Sequence, residues 1–313
     1  MRTAFINTIT ELARKDKDIF LLTGDLGFSF FENFKKEFPD RFFNIGVAEA
    51  NMVGIAAGLT LSGKKVFIYS IVPFATMRCF EQIRNDICYQ NLDVKIIGVG
   101  GGLCYGSAGM THYSIEDIAI MRSLPNMTVI CPGDPTEVKL SVRSSLNYKA
   151  PIYIRLGKGN EPKVHSNLKN FSIGKGIIIN NGKDITIIST GNILYNAKRA
   201  SDLLKSKNIS IRLISMHTIK PIDKDLVIKA VRETKAIFTI EEHSLIGGLG
   251  SVVSEIIAEE GANICFKRIA LSDAYPRDIG SQEYLRMRLG LSVDNIVRNI
   301  LRKYKSIQKY NAN

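Results

Sequence analysis

The sequence lacks paired cysteines and long apolar runs. Its five cysteines are scattered and none belongs to a C-x-x-C pair, which argues against a disulfide framework or a zinc site and is typical of reduced cytosolic thiols. Apolar runs such as AIFTI fall far short of the roughly 20 residues that a membrane-spanning helix needs. The start, MRTAFINTITELARKDKD, has no apolar core of a signal peptide. We therefore expect a cytoplasmic protein without a membrane partner or a metal site of its own.

Nucleic-acid signatures are also missing, although the formal net charge is +12. Lysine and arginine are spread along the chain, and only the tail RKYKSIQKYNAN is locally dense. No helix-turn-helix, zinc-finger or RNP pattern accompanies the charge. A diffuse basic surface also suits small anionic substrates such as phosphates. We therefore predict a small-molecule substrate and no nucleic-acid partner.

The chain does contain a regular alternation of short β-branched runs and longer helical stretches, which predicts an α/β fold with mainly parallel sheets flanked by helices. A stretch rich in Gly, Asn and Lys interrupts the alternation before it resumes. The sequence thus predicts a first domain over 1–165, a linker over 166–175 and a second domain over 176–313. The clearest strand predictions are DIFLLTGD, KKVFIYSI, VKIIGVGGG and NMTVICPGD in the first domain, and ITIISTG, ISIRLISM and AIFTIEEH in the second.

One carboxylate stands out in the apolar stretch FFNIGVAEANMVGIAAGL. Glu49 lies at the entry to a segment built for burial, and an unpaired buried carboxylate costs several kcal/mol. Glu49 therefore either faces water at a helix N-terminus or meets a specific partner.

Two further features have more than one interpretation. His112 follows a glycine-rich strand end, where open α/β sheets collect ligands, but it could equally cap a helix or face solvent. The glycine loop lacks the complete dinucleotide fingerprint, which disfavours a hydride-transferring enzyme. Phe74, Met77 and Phe80 are spaced i, i+3 and i+6, which indicates either core packing of a helix or an aromatic wall for a heterocycle.

The second domain has one polar cluster, EEH, after a predicted strand. Glu241, Glu242 and His243 show no base–nucleophile spacing, so we interpret them as structural or interface residues and predict no catalytic residue in this domain.

Several segments together resemble a known family, the transketolases, from about Thr3 to the final helix. They are similar to the C-terminal half of transketolases and, more closely, to the separate C-terminal subunit of split transketolases, which implies a pyrimidine-binding domain followed by a transketolase C-terminal-like domain. The segments are NIGVAEANMVGIAAGLTLSGKKVFIYS, FEQIRNDICY, GSAGMTHYSIEDIAIMRSLPNMTVICPGD and PIYIRLGKG.

The resemblance implies a role for Glu49. In this family the glutamate of the G-V-A-E segment bonds N1′ of the aminopyrimidine of thiamine diphosphate, which promotes formation of the nucleophilic ylide. Phe74 resembles the ring that stacks on the aminopyrimidine, and Met77 and Phe80 resemble further pocket walls.

It also implies substrate contacts. The TGDLGFS turn places Asp25 and Leu26 near the cofactor, and its Ser29 corresponds to a serine that reaches a substrate phosphate. Arg155 resembles the arginine that binds this phosphate. His112 resembles the catalytic histidine that hydrogen-bonds substrate oxygens.

Two departures from the family pattern qualify these expectations. Ser107 and Ala108 stand where transketolases carry an acidic pair, which leaves the ketose specificity open. The sequence contains no G-D-G motif, the motif that holds the diphosphate and Mg²⁺ in this superfamily. We therefore expect an N-terminal transketolase subunit to supply the diphosphate-binding domain and Mg²⁺, and we expect the two chains to form a heterotetramer with self-association of this chain.

Three alternatives remain open. A 2-oxo acid dehydrogenase β subunit shares the fold and the glutamate, but Thr111 and His112 favour a transketolase. A 1-deoxyxylulose-phosphate synthase-like carboligase normally carries all domains in one chain. A non-catalytic regulatory subunit is compatible with the altered Ser107–Ala108 pair.

Overall fold

The structure is a computed structural model that describes residues 1–27, 29–168 and 170–310. Lys169 of the predicted linker and residues 311–313 of the predicted second domain lie outside the described residues, as does Phe28. Within the described residues the chain forms two sheets with helices packed against them.

The first sheet has seven strands within the described residues, in the order β10-β5-β6-β4-β3-β1-β2. Every neighbouring pair is parallel except β10 with β5. Because β10 follows the predicted linker in sequence, the later part of the chain adds an edge strand to the first sheet. The strands are β1 Ile19–Thr23, β2 Phe42–Asn44, β3 Lys65–Ile71, β4 Val94–Val99, β5 Thr128–Ile130, β6 Ile152–Leu156 and β10 Thr218–Lys220.

The second sheet has five strands in the described part of the chain, in the order β12-β11-β8-β9-β7. Its pairs are parallel except β7 with β9, so the predicted mainly parallel α/β fold is confirmed for both sheets. The strands are β7 Ile177–Asn180, β8 Ile185–Ser189, β9 Ile211–Ser215, β11 Ala236–Ser244 and β12 Cys265–Leu271.

Helices pack against both sheets. The central strands, such as β4 and β8, are therefore buried along their whole length. The first group is α1 Arg2–Lys15, α2 Glu32–Glu37, α3 Glu49–Leu61, α4 Val72–Thr76, α5 Phe80–Gln82, α6 Asp117–Ser123 and α7 Pro135–Ser145. The second group is α8 Leu194–Lys205, α9 Lys224–Glu233, α10 Leu249–Glu259, α11 Gln282–Arg288 and α12 Val293–Tyr310. Among the described residues, none of these helices is both long and apolar enough to cross a membrane.

The segment after β3 departs from the regular helix that its apolar spacing predicts. Helix α4 ends at Thr76, a turn occupies 77–79, and the short α5 leads into a π-helix over Ile83–Cys88. The i, i+3, i+6 spacing of Phe74, Met77 and Phe80 therefore does not place these side chains on one helix face. Phe74 packs against the phenylalanine-rich core cluster around α1, whereas Phe80 packs against the core cluster beneath α3.

The two sheets share a continuous hydrophobic core. One buried cluster joins Leu22 and Met52 of the first sheet layer with Val227, Ile237 and Leu249 of the second. This shared packing fixes the carboxyl ends of the first sheet's strands relative to the second half of the chain.

Candidate active site

The candidate site lies where strands of the first sheet end and their following loops begin. Gly24 follows β1, Ser70 lies near the end of β3, and Glu49 opens α3 after the neighbouring β2. Parallel strands present their carboxyl ends at one edge, which is where ligands bind in such folds.

Glu49 is 1% exposed and has two side-chain partners. Ser70 Oγ donates to Glu49 Oε1 at 3.1 Å, and Arg78 Nη1 donates to Glu49 Oε2 at 2.9 Å. As the first residue of α3 the carboxylate also benefits from the positive end of the helix dipole. Both possibilities raised by the sequence therefore hold in part: Glu49 lies at a helix N-terminus, but it is buried and paired.

The loop after β1 approaches Glu49 closely. A Cβ atom on Gly24 would lie 3.0 Å from Glu49 Oε1, so glycine at this position leaves room for the carboxylate. The next residue, Asp25, adopts a left-handed backbone with φ of 55°. It is held by Asn44, whose Oδ1 accepts from the Asp25 N–H at 2.9 Å and whose Nδ2 donates to Asp25 Oδ1 at 2.9 Å.

The remaining predicted residues of this loop point to the surface or to a small cavity. Leu26 is half-buried and helps to line a cavity of about 150 Å³ beside Thr23, Phe31 and Phe42. Ser29 is exposed, has a φ of 60°, and its backbone N–H donates to Glu32 Oε1.

Rings and cations form the outer wall of the site. The His112 ring meets Phe74 edge-on with centroids 5.4 Å apart, and Arg78 Cζ lies 4.1 Å from the Phe74 centroid. Thr111 Oγ1 and His112 Nδ1 are 2.9 Å apart. Phe74 and Arg78 thus connect the predicted residues Glu49 and His112 into one group.

Two predicted wall residues lie at the edge of this group. Met77 is exposed in the turn after α4, and Phe80 is half-buried against the core cluster beneath α3. No described ring contact joins either side chain to Phe74 or His112.

Arg155 has partners inside the protein. It is 3% exposed and forms a bidentate pair with Asp117, with Nε–Oδ2 at 2.7 Å and Nη2–Oδ1 at 3.0 Å. Its Nη2 also donates to the carbonyls of Ser114 and Glu242. Burial opposes ionisation of Asp117, but the Arg155 guanidinium, together with His243 and the Tyr153 hydroxyl, outweighs it and holds the pKa of Asp117 below its ordinary value. The structure therefore places Arg155 in an internal network rather than beside Glu49.

The EEH cluster of β11 is buried as well. Glu241 accepts from the N–H groups of Leu249 and Gly250, both at 2.7 Å, and so caps α10. Burial raises the pKa of Glu241 to about 7. Glu242 forms an ion pair with Arg286. Glu241 and Glu242 therefore contact other residues of this chain, as structural residues would.

Sequence reasoning missed three parts of the site. Ser70 is one small residue in a buried strand and gave no usable signal. Gly24 belongs to the TGDLGFS turn, but its close approach to Glu49 is not visible in the sequence. Arg78 looks like any surface arginine in sequence, because its partner is 29 residues away.

The donor set fits one end of a heterocyclic cofactor. A buried carboxylate can accept from a ring nitrogen, and Phe74 offers an aromatic face beside it. Within the described residues there is no group of three or more His, Cys, Asp or Glu side chains placed to hold a metal ion.

Comparisons with known proteins agree with this geometry. Residues 1–163 match the family model of the transketolase pyrimidine-binding domain, and residues 174–296 match that of the transketolase C-terminal domain. The chain is 41% identical over 308 residues to a putative transketolase C-terminal section of Methanocaldococcus jannaschii, covering 97% of this chain and 96% of that protein. It is 42% identical over 260 residues to one of the subunits of the apulose-4-phosphate transketolase of Phocaeicola vulgatus, covering 82% of this chain and 83% of that protein.

A solved structure shows the same likeness in three dimensions. The structure described as a split gene transketolase, inactive beta4 tetramer, superposes with a TM-score of 0.89 at 37% identity and covers 97% of this chain and 98% of that chain. From the two domain matches and these relatives, we conclude that the chain belongs to the transketolase family of thiamine-diphosphate-dependent transferases, as a subunit made of its pyrimidine-binding and C-terminal domains.

Proposed function

We propose that this chain is one half of a split transketolase, which moves a two-carbon ketol unit between sugars or sugar phosphates. The observation that carries the proposal is the buried Glu49 carboxylate at the start of α3, next to the Phe74 ring and within one group with His112.

Thiamine diphosphate, when bound, supplies the nucleophilic carbon and the electron sink that ketol transfer requires. Glu49 accepts a charge-assisted hydrogen bond from N1′ and so holds a proton at that atom. Ser70 orients the carboxylate through Oε1. Phe74 contributes the apolar face, and Met77, Phe80, Asp25 and Leu26 form the outer boundary of the pocket.

For the substrate, we propose that His112 hydrogen-bonds sugar oxygens and that Ser29 meets a terminal phosphate. His112 is half-buried beside the candidate pocket and Ser29 is exposed, so both side chains can reach a ligand. The resemblance also assigns Arg155 to the phosphate, but its closed pair with Asp117 favours a positioning role behind the Thr111–His112 loop.

A second chain completes the site in this proposal. The sequence has no G-D-G motif, so the partner holds the diphosphate and Mg²⁺. The matches cover 96% of the Methanocaldococcus protein, 83% of the Phocaeicola subunit and 98% of the split-gene transketolase chain. Relatives that are themselves sections or subunits of about this length support a division into two polypeptides. We propose a heterotetramer with two copies of each chain. Within this chain, we propose that the domains span 1–165 and 176–313, with a linker over 166–175.

The test is purification of the tagged chain from its native cells, followed by mass spectrometry of proteins and bound thiamine diphosphate. We expect a co-purifying chain that carries G-D-G, together with the cofactor, and ketol transfer by the complex. Recovery with a lipoyl-bearing acyltransferase would instead indicate a 2-oxo acid dehydrogenase subunit. Recovery of the chain alone and free of cofactor would favour a regulatory subunit.

A further inference from the structure

Arg78 lies at the rim of the candidate site, in contact with both Glu49 and Phe74, without a role in the proposed chemistry. It lies in the turn between α4 and α5. Its Nη1 donates to Glu49 Oε2 at 2.9 Å, and its guanidinium carbon lies 4.1 Å from the Phe74 ring centroid. The side chain thus covers a buried carboxylate oxygen and an aromatic face at the same time.

The contact of Arg78 is open, unlike that of a core arginine. Its side chain is 42% exposed whereas that of Glu49 is 1% exposed. A half-exposed guanidinium gains little from its ion pair, because water solvates it well when it swings away. Arg78 also projects from a three-residue turn rather than from a regular helix, so a change of its rotamer leaves the sheet and α3 intact.

The two surfaces that Arg78 covers are the two that the proposed function assigns to the aminopyrimidine. Planarity, cationic hydrogen bonding and stacking are properties that a guanidinium shares with a protonated heterocycle. A buried carboxylate without a partner is costly, so the cofactor-free chain needs a substitute at this position.

We propose that Arg78 is a positioning residue that holds the Glu49 carboxylate in the cofactor-free chain and yields its place when thiamine diphosphate binds. This inference rests on the proposed function. Because each binding event must displace Arg78, the ion pair lowers the apparent affinity for the cofactor. In return it keeps Glu49 oriented and its charge compensated until the partner chain and cofactor arrive.

The experiment compares the wild type with Arg78→Met and Arg78→Lys. Methionine keeps the aliphatic length but removes the charge, and lysine keeps the charge without the planar face. In the complex with the G-D-G partner chain and Mg²⁺, calorimetry gives the dissociation constant of thiamine diphosphate. We expect Arg78→Met to bind about fivefold more tightly than the wild type, from the modest strength of a half-exposed pair, with Arg78→Lys in between.

Thermal unfolding supplies a second readout that does not depend on catalysis. Without cofactor, the isolated Arg78→Met chain should unfold at a lower temperature than the wild type, and Glu49→Gln in the same chain should restore stability. In the cofactor-saturated complex the difference between wild type and Arg78→Met should vanish, because Arg78 no longer contacts Glu49 there.

Three results would overturn the inference. Weaker or unchanged cofactor binding by Arg78→Met would show that Arg78 does not compete with the cofactor. An equal loss of stability with and without cofactor would make Arg78 an ordinary packing residue. Absence of cofactor binding by the wild-type complex would contradict the proposed function itself and remove the basis of this inference.

Discussion

The chain contains two arginine–carboxylate pairs that differ in almost every physical respect. Asp117 and Arg155 form a closed, bidentate pair in the interior, and backbone carbonyls take up further guanidinium N–H groups. Glu49 and Arg78 form an open pair, in which a buried carboxylate meets a guanidinium that is half in solvent and rests on Phe74.

The difference lies in how much of each pair is accessible to a ligand. A buried bidentate pair leaves few guanidinium N–H groups for a ligand, and removal of one partner leaves an uncompensated charge in the core. A carboxylate whose partner can move away keeps a lone pair available for a ligand. The chemical type of the residues is the same in both pairs, so only their surroundings distinguish the two.

The largest expected effect concerns Glu49. Glu49→Gln keeps the shape and an acceptor for Arg78 but removes the charge that holds a proton at N1′. We expect kcat of the assembled complex to fall by about 10²- to 10⁴-fold, while the isolated chain unfolds at nearly the wild-type temperature. Near-normal turnover would contradict the catalytic assignment.

Arg155→Met tests the closed pair and should mainly affect stability. The variant leaves Asp117 buried without its cation, which costs about 3–5 kcal/mol in the free energy of unfolding. Urea denaturation measures this loss, and Asp117→Asn in the same chain should recover part of it. Arg78→Met is the matched comparison, because it also leaves a buried carboxylate without its cation. We expect a smaller loss, because Ser70 still donates to Glu49 and the half-exposed guanidinium of Arg78 contributes less than an enclosed one. Equal losses for the two arginine variants would erase the distinction between the pairs.

Ser70→Ala sharpens the comparison at the open pair. It removes the hydroxyl that donates to Glu49 Oε1, and the loss of one such bond is worth about 1 kcal/mol, or about fivefold in kcat/KM. Ser141 is the control, since it is also fully buried but its Oγ has no hydrogen-bond partner among the described residues. Ser141→Ala should leave kcat/KM unchanged. If both variants lose activity equally, the Ser70 hydroxyl does not act through Glu49.

The smallest expected effect is the dependence of the free energy of unfolding on pH that the Asp117–Arg155 pair causes in acid. The folded pKa of Asp117 lies below its ordinary value of 3.8, so the unfolded chain binds this proton first as the pH falls. The pair therefore contributes its full stability above about pH 4 and loses it as the pH drops through the folded pKa. In acid titrations of unfolding, the Asp117→Asn, Arg155→Met chain should show a shallower loss of stability than the wild type below pH 4. If the stability of the variant falls as steeply with pH as that of the wild type, other carboxyl groups cause the acid unfolding.

Local patterns predicted much of the fold. The strands β1, β3, β4 and β8 are confirmed close to the expected bounds, because short β-branched apolar runs are typical of buried strands. The segment after β3 is where this reasoning failed. Its apolar spacing predicts one helix, yet the chain turns at 77–79 and continues through a π-helix. The spacing of apolar residues does not distinguish the i→i+4 hydrogen bonds of an α-helix from the i→i+5 hydrogen bonds of a π-helix.

The short edge strands were also beyond the sequence pattern. β10 has three residues and pairs antiparallel with β5 across the predicted linker. A run this short carries no periodicity, and its partner is set by the packing of two distant segments.

For the site, the sequence by itself determined that one carboxylate, Glu49, stands in an apolar segment and that this chain lacks a G-D-G motif. The order of residues shows both directly. Glu49 is informative because burying an unpaired carboxylate is costly, so such a residue is expected to have a specific partner. Only the tertiary structure decided which guanidinium each carboxylate meets. Arg155 and Arg78 look alike in sequence, but one is enclosed between the two sheets and the other stands at the rim, and ion pairing depends on distance and solvent access, which the order of residues does not specify.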